Sequence, residues 1–99
     1  SLVITDAVLL EVLNALSRCY KSEAIQIVEY LFESENVEVV RLTPELFDSA
    51  FDLYKNRRDK TWGLVDCISF IVMQDRKINI AFTFDQHFSQ AGFQILPQI

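Results

Sequence analysis

Apolar and polar residues follow two different periods along this chain, and the two periods predict strands and amphipathic helices in alternation. Apolar, largely β-branched runs predict strands at residues 2–4, 37–42, 78–83 and 93–96. Helical spacing of apolar residues predicts helices that cover residues 5–18, 22–32, 44–57 and 63–76, with a short helical turn at 86–90. Alternation of this kind is typical of an α/β domain with a mainly parallel sheet flanked by helices.

Two of these helices have informative sequences. Thr43, Pro44 and Glu45 supply a cap, a proline at the first helical position and an acid at the positive end of the helix dipole. Residues 63–76 are apolar almost all round, which predicts a helix packed centrally against the sheet.

Composition limits the size and class of the protein. With 99 residues, we expect one domain over positions 1–99. The apolar fraction of 51% is high for so small a body, which favours a homo-oligomer that buries part of this surface. No apolar run is long enough to cross a bilayer and no signal peptide begins the chain, so we expect a cytoplasmic protein without a membrane partner.

Charge argues against broad, nonspecific binding of nucleic acid, because 14 acids outnumber 9 bases and the formal charge is -5. A local basic cluster is nevertheless present at Lys55, Arg57, Arg58 and Lys60. It is either a solvated loop and helix end or a clamp for phosphate groups.

The two cysteines, Cys19 and Cys67, lie far apart and form no zinc-binding pattern with the single histidine. Both have apolar neighbours in the sequence, which predicts reduced thiols buried in the core.

Three carboxylates, Glu11, Asp66 and Asp85, occur within or directly after apolar runs. A carboxylate that leaves water needs a base, hydrogen bonds or a cation as its partner. Since bases are scarce in these segments, we expect a shared divalent ion, Mg²⁺ or Mn²⁺, near the carboxyl ends of the strands. Such a site would hydrolyse phosphodiesters with a metal-activated water.

Each acid also has a purely structural interpretation. Glu11 could mark the polar side of an amphipathic helix, Asp66 could be a first-turn acid favoured by the helix dipole, and Asp85 could be a turn residue at a strand end.

Three neighbouring polar residues are equally ambiguous. Thr83 could simply reflect strand propensity or could support Asp85, and Ser69 could be a contact between helices or a residue that supports Asp66. His87 is interpreted as a loop histidine, although it lies two positions after Asp85.

Several segments together resemble a known family. The segment DKTWGLVDCIS at 59–69, followed by TFDQHF at 83–88, resembles the PIN-domain family, especially the VapC-type toxins of bacterial toxin and antitoxin pairs. The segment TDAVLLEVLN at 5–14 is similar to the second acidic motif of that family.

This resemblance implies a three-layer PIN-like α/β fold and a Mg²⁺-dependent endoribonuclease, often dimeric and inhibited by a cognate antitoxin. It implies that Glu11, Asp66 and Asp85 are catalytic acids that hold the metal, and that Thr83 supports the last of them. We expect Arg57, Arg58 or Lys60 to contact the RNA backbone.

Two departures from the family pattern affect this prediction. Gly63 occupies the position where Ser or Thr usually caps the helix that carries Asp66, and glycine is an acceptable cap. The family's first strand, its first metal-binding Asp and one or two helices have no counterpart. We therefore expect an N-terminally incomplete domain that by itself cleaves RNA weakly or not at all.

Two other functions compete with the nuclease. A PIN-like module could have lost catalysis and serve only binding or oligomerisation. A signalling receiver is disfavoured, because it requires an acid pair after the first strand and a Lys at the last one, and residues 94–99 contain no Lys.

Overall fold

Strand β1 (Leu2–Thr5) is followed by helices α1 (Asp6–Leu16) and α2 (Lys21–Glu33) and then by strand β2 (Val37–Val40). The computed structural model describes residues 1–97, and the chain divides into two compact units, with the boundary between Leu42 and Thr43. In the first unit β1 pairs with β2 in parallel, from Leu2 opposite Val37 to Thr5 opposite Val40. The two intervening helices form the crossover that parallel pairing requires.

Helix α1 begins where two polar side chains satisfy backbone amides. Thr5 is buried and accepts a hydrogen bond from the Val8 amide at 3.3 Å, which is the usual role of an N-cap. Both carboxylate oxygens of Asp6 accept from the Leu42 amide at 3.1 Å. Asp6 therefore fastens the chain beyond β2 to the beginning of α1.

The second unit contains helices α3 (Pro44–Asn56) and α4 (Leu64–Asp75), strand β3 (Ile80–Phe82), the short helix α5 (Gln86–Gln90) and strand β4 (Gln94–Leu96). Helix α3 starts as predicted, with Thr43 accepting from the Leu46 amide and Pro44 in the first turn. Strands β3 and β4 are parallel, with Ala81 opposite Ile95.

Phe70 of α4 is the centre of the core in the second unit and is fully buried. Its ring makes edge contacts with Trp62 at 5.0 Å and Phe88 at 4.9 Å between centroids, and a tilted contact with Phe93 at 5.8 Å. Edge-to-face pairs of this kind add to the free energy of burial. They attach α4 to the chain segments before it and around α5.

Helix α4 ends in a Schellman motif built without glycine. The Ile78 amide donates to Met73 O at 2.8 Å and the Lys77 amide to Gln74 O at 3.2 Å. Lys77 has φ of 56°, in the left-handed region that usually selects glycine.

The order and type of all predicted elements are confirmed, as is the α/β class with parallel strands. Several ends differ from the predictions. Helix α1 ends at Leu16 rather than near Arg18, the second strand ends at Val40 rather than Leu42, and the third is restricted to Ile80–Phe82. The four strands pair as two two-stranded sheets, β1 with β2 and β3 with β4.

The prediction that both thiols are buried was wrong for one of them. Cys67 is buried on α4, but Cys19 is exposed, because α1 has already ended and Cys19 lies in the turn before α2. The prediction of one domain over 1–99 stays a prediction. None of the helices within residues 1–97 is long and apolar enough to span a membrane.

Candidate metal site

Asp66 lies in the first turn of α4, where its side chain completes the cap of its own helix. Its Oδ2 accepts a hydrogen bond from the Gly63 amide at 3.1 Å. Gly63 has no side chain with which to cap, so the carboxylate three residues later satisfies the amide that precedes the helix. The Asp66 side chain is 21% exposed, and it thus remains accessible to an ion.

Asp85 follows β3 and is the N-cap of α5. Its Oδ1 accepts from the His87 amide at 2.9 Å, and its own amide donates to Thr83 Oγ1 at 3.0 Å. Thr83 is itself held by a hydrogen bond from its amide to Leu96 O, next to the paired ends of β3 and β4. Asp85 therefore lies at the carboxyl end of two parallel strands, where ligands collect in folds of this class.

The imidazole of His87 lies beside both acids. Its Nδ1 is 2.9 Å from Asp66 Oδ2 and 3.4 Å from Asp85 Oδ1, and its Nε2 is 3.2 Å from Thr61 Oγ1. One ligand atom each from Asp66, Asp85 and His87 lies within 4.8 Å of the others.

The contacts of His87 with Asp66 and Asp85 were not predicted from the sequence. The available signal was its position: a residue two places after a capping Asp has its amide at the cap oxygen, which brings its side chain near that Asp.

The donor set fits a divalent cation. Two carboxylates supply hard oxygen ligands and negative charge, which suit Mg²⁺ and Mn²⁺. The structural interpretations hold as well, because Asp66 lies in the first turn of α4 and Asp85 follows the end of β3. In addition, each acid uses one oxygen to cap a helix.

The other predicted site residues lie elsewhere along the chain. Glu11 is an exposed residue of α1 in the first unit, and its convergence with Asp66 and Asp85 stays a prediction. Ser69 is half-buried on α4, one turn after Asp66, and its supporting role also stays a prediction.

Arg57 is held in place by two neighbours. Its Nε and one terminal nitrogen donate to the two carboxylate oxygens of Asp59, both at 3.0 Å, and its guanidinium lies 4.9 Å from the centre of the Trp62 ring. The hydrogen bond with Asp59 raises the pKa of Arg57, and the same bond lowers the pKa of Asp59. Arg58 is exposed and Lys60 is half-buried, so Arg58 is the more available of these two cations.

Comparison with known proteins gives a consistent result. The PIN domain family matches residues 1–94. Two curated relatives from Mycobacterium tuberculosis strains, CDC 1551 / Oshkosh and ATCC 25618 / H37Rv, are each described as the 23S rRNA-specific endonuclease VapC20. Each is 33% identical over 63 residues, which is 63% of this chain and 48% of the relative, so the chain spans about half the length of these relatives.

A solved structure is similar over more of the chain. The crystal structure of Mycobacterium tuberculosis VapC20, described as a sarcin-ricin loop cleaving toxin, has a TM-score of 0.83 and 30% sequence identity. The match covers 92% of this chain and 70% of that one.

Proposed function

Because the chain belongs to the PIN-domain family, we propose that it acts as a metal-dependent endoribonuclease of the VapC toxin type, which hydrolyses RNA phosphodiester bonds. The observation that carries this proposal is the approach of Asp66 and Asp85 to within 4.8 Å at the carboxyl end of parallel strands. Two acids distant in sequence are brought together there at partly exposed positions. This arrangement is costly for an ordinary surface, because like charges repel, and is useful for binding a cation.

Asp66 and Asp85 would hold the ion, Mg²⁺ or Mn²⁺, and Glu11 would add a third carboxylate. When bound, such an ion supplies Lewis-acid stabilisation of the phosphodiester charge and activates water for in-line attack. The protein's own part is to fix the two carboxylates. Asp66 is held through the Gly63 amide and Asp85 through Thr83 and the His87 amide.

The proposed substrate class is RNA, the class on which the curated relatives are described as acting. Arg57, Arg58 and Lys60 precede α4 in the chain, close to the position of Asp66 in its first turn. We assign them to the RNA backbone, with Arg58 as the principal contact. Since the whole chain is acidic, binding should depend on this local cluster rather than on general charge attraction.

Two protein partners belong to the same proposal: a cognate antitoxin and a second copy of the chain. Helix α3 exposes a row of stacked aromatic rings, Phe47, Phe51 and Tyr54, with centroid separations of 6.0 and 6.3 Å. Exposed aromatic rows of this kind are typical of protein interfaces. An RNA-cleaving toxin would meet its substrate in the cytoplasm, which we propose as the compartment.

The decisive experiment combines metal binding with RNA cleavage in Asp66→Asn and Asp85→Asn. Both changes keep shape and remove charge, so saturable Mn²⁺ binding in calorimetry should be lost, and with it the weak metal-dependent cleavage that we expect of this chain. Asp75→Asn, at the exposed end of the same helix as Asp66, is the matched control and should behave as the parent protein. Unchanged Mn²⁺ binding in Asp66→Asn would reject the proposal and favour a PIN-like module that serves only binding.

A further inference from the structure

Asp66 and Asp85 each cap a helix with one carboxylate oxygen. The other oxygen of each acid makes this cluster more than a pair of helix caps. Within residues 1–97, the hydrogen bonds to the Asp66 side chain go to Oδ2, from the Gly63 amide and from His87. For Asp85 the contacts go to Oδ1, from the amide of His87 at 2.9 Å and from its ring at 3.4 Å. Each carboxylate thus commits one oxygen to the protein, and its other oxygen can serve an ion.

His87 is the residue that joins the two carboxylates. Without the His87 ring, Asp66 would be held by the Gly63 amide and Asp85 by the His87 amide, at the starts of two separate helices. With its ring between them, one nitrogen contacts both acids, and the position of each carboxylate depends on the other.

The two carboxylates determine which ring nitrogen carries the proton. Nδ1 faces two carboxylate oxygens, which can only accept, so Nδ1 must be the donor. In the neutral imidazole Nε2 is then an acceptor, and the Thr61 hydroxyl can donate to it across 3.2 Å. All three contacts are satisfied by this single tautomer.

We propose that His87 is a positioning residue, which holds Asp66 and Asp85 at the separation that a shared ion requires, with Thr61 fixing the orientation of the ring. The inference rests on the proposed metal-dependent function. Partners that orient ligand side chains commonly change metal affinity by about 10- to 100-fold when removed.

The first test needs no metal. The chain contains a single histidine, so a long-range proton–nitrogen correlation spectrum of the metal-free protein reports one imidazole. Where the ring is neutral, we expect the proton on Nδ1, and in Thr61→Val or Asp66→Asn a shift of population toward the Nε2 tautomer. A dominant Nε2 tautomer in the parent protein would overturn the proposal.

The second test measures Mn²⁺ affinity by calorimetry or electron paramagnetic resonance. His87→Ala should bind Mn²⁺ about tenfold more weakly. His87→Asn, whose amide can place an N–H near the position of Nδ1, should recover most of the affinity, whereas His87→Gln, which reaches toward Nε2, should not. In cleavage assays the defect of His87→Ala should disappear at saturating metal, which a general loss of structure would not allow.

Ser89→Ala is the matched control, because Ser89 is an exposed residue of the same short helix. Its Mn²⁺ affinity should equal that of the parent. Equal affinities for the parent and a folded His87→Ala would overturn the role of His87 while the proposed function survives through the effect of Asp66→Asn. Absence of Mn²⁺ binding by the parent protein would instead reject the proposed function, and the role of His87 with it.

Discussion

The indole of Trp62 donates a hydrogen bond to Gln90 Oε1 across 3.1 Å and so ties the segment before α4 to the last residue of α5. Trp62 is also buried against Phe70. The two elements that carry Asp66 and His87 are therefore linked outside the site itself.

Trp62→Phe should lower the free energy of unfolding by about 2 kcal/mol, because it loses this hydrogen bond and leaves unfilled volume next to Phe70. Gln90→Ala keeps the indole ring, removes the acceptor of its N–H and should cost about 1 kcal/mol. Urea denaturation of both variants checks the difference. Equal losses in the two variants would show that packing of the larger ring contributes nothing.

Lys77 is a position where the chain can be stabilised. A non-glycine residue in the left-handed region carries a steric cost of about 1 kcal/mol, so Lys77→Gly should raise the free energy of unfolding by about that amount. Lys77→Val should lower it, because a β-branched residue tolerates positive φ worst. Thermal and urea unfolding report both, and a destabilised Lys77→Gly would contradict the assignment of the Schellman motif.

The two thiols should react differently. Burial raises the pKa of Cys67, with a smaller contribution from the neighbouring negative charge of Asp66, so little thiolate is present there at neutral pH. Iodoacetamide should therefore alkylate the exposed Cys19 much faster than Cys67 in the native protein, and both at similar rates in denaturant. Peptide mass spectrometry distinguishes the two sites.

The raised pKa of Cys67 also predicts a pH dependence of stability. Below about pH 8.5, the ordinary pKa of a thiol, Cys67 is neutral in both the folded and the unfolded protein. Its contribution to the free energy of unfolding is then fully present. As pH rises further, the Cys67 thiol ionises first in the unfolded protein, because its pKa is higher in the folded protein. The free energy of unfolding therefore falls until the pH passes the pKa of the folded state. Cys67→Ala should show a shallower alkaline loss than the parent protein in urea titrations, and parallel curves would refute the assignment.

Arg58 should contribute more than Arg57 to RNA binding, because Arg57 is already paired with Asp59 through two hydrogen bonds. Arg58→Ala should reduce the slope of log RNA affinity against log salt concentration by about one, the value expected for one phosphate contact. Arg57→Ala should have a smaller effect. Fluorescence anisotropy at several salt concentrations measures both, with the exposed Lys21→Ala as control. A larger effect of Arg57→Ala would reverse this assignment.

Much of the fold was readable from the sequence, because local signals dominate it. The Thr43-Pro44-Glu45 start of α3 and the apolar runs of the strands act over a few residues and gave the right elements. Helix ends were less accurate. The end of α1 at Leu16, two residues before the predicted end, is marked by no glycine or proline.

The candidate site was predicted in part. Asp66 and Asp85 were chosen because charge beside apolar runs is expensive, and the structure brings them together. His87 was missed because its significance comes from two contacts across the fold, with Asp66 and Thr61, that no local pattern encodes. The double role of Asp66 and Asp85, each a helix cap and a proposed ligand, shows why structural and functional interpretations of one acid need not exclude each other.

The hydrogen bonds from the Leu42 amide to the Asp6 carboxylate have a consequence for folding during translation. Asp6, Leu42 and both paired strands β1 and β2 lie within residues 2–42, which are translated before the second unit, so this motif can close while the second unit is still being made. Once β1 and β2 are paired, their facing edges can no longer pair with strands of neighbouring polypeptides that are being translated from the same messenger RNA.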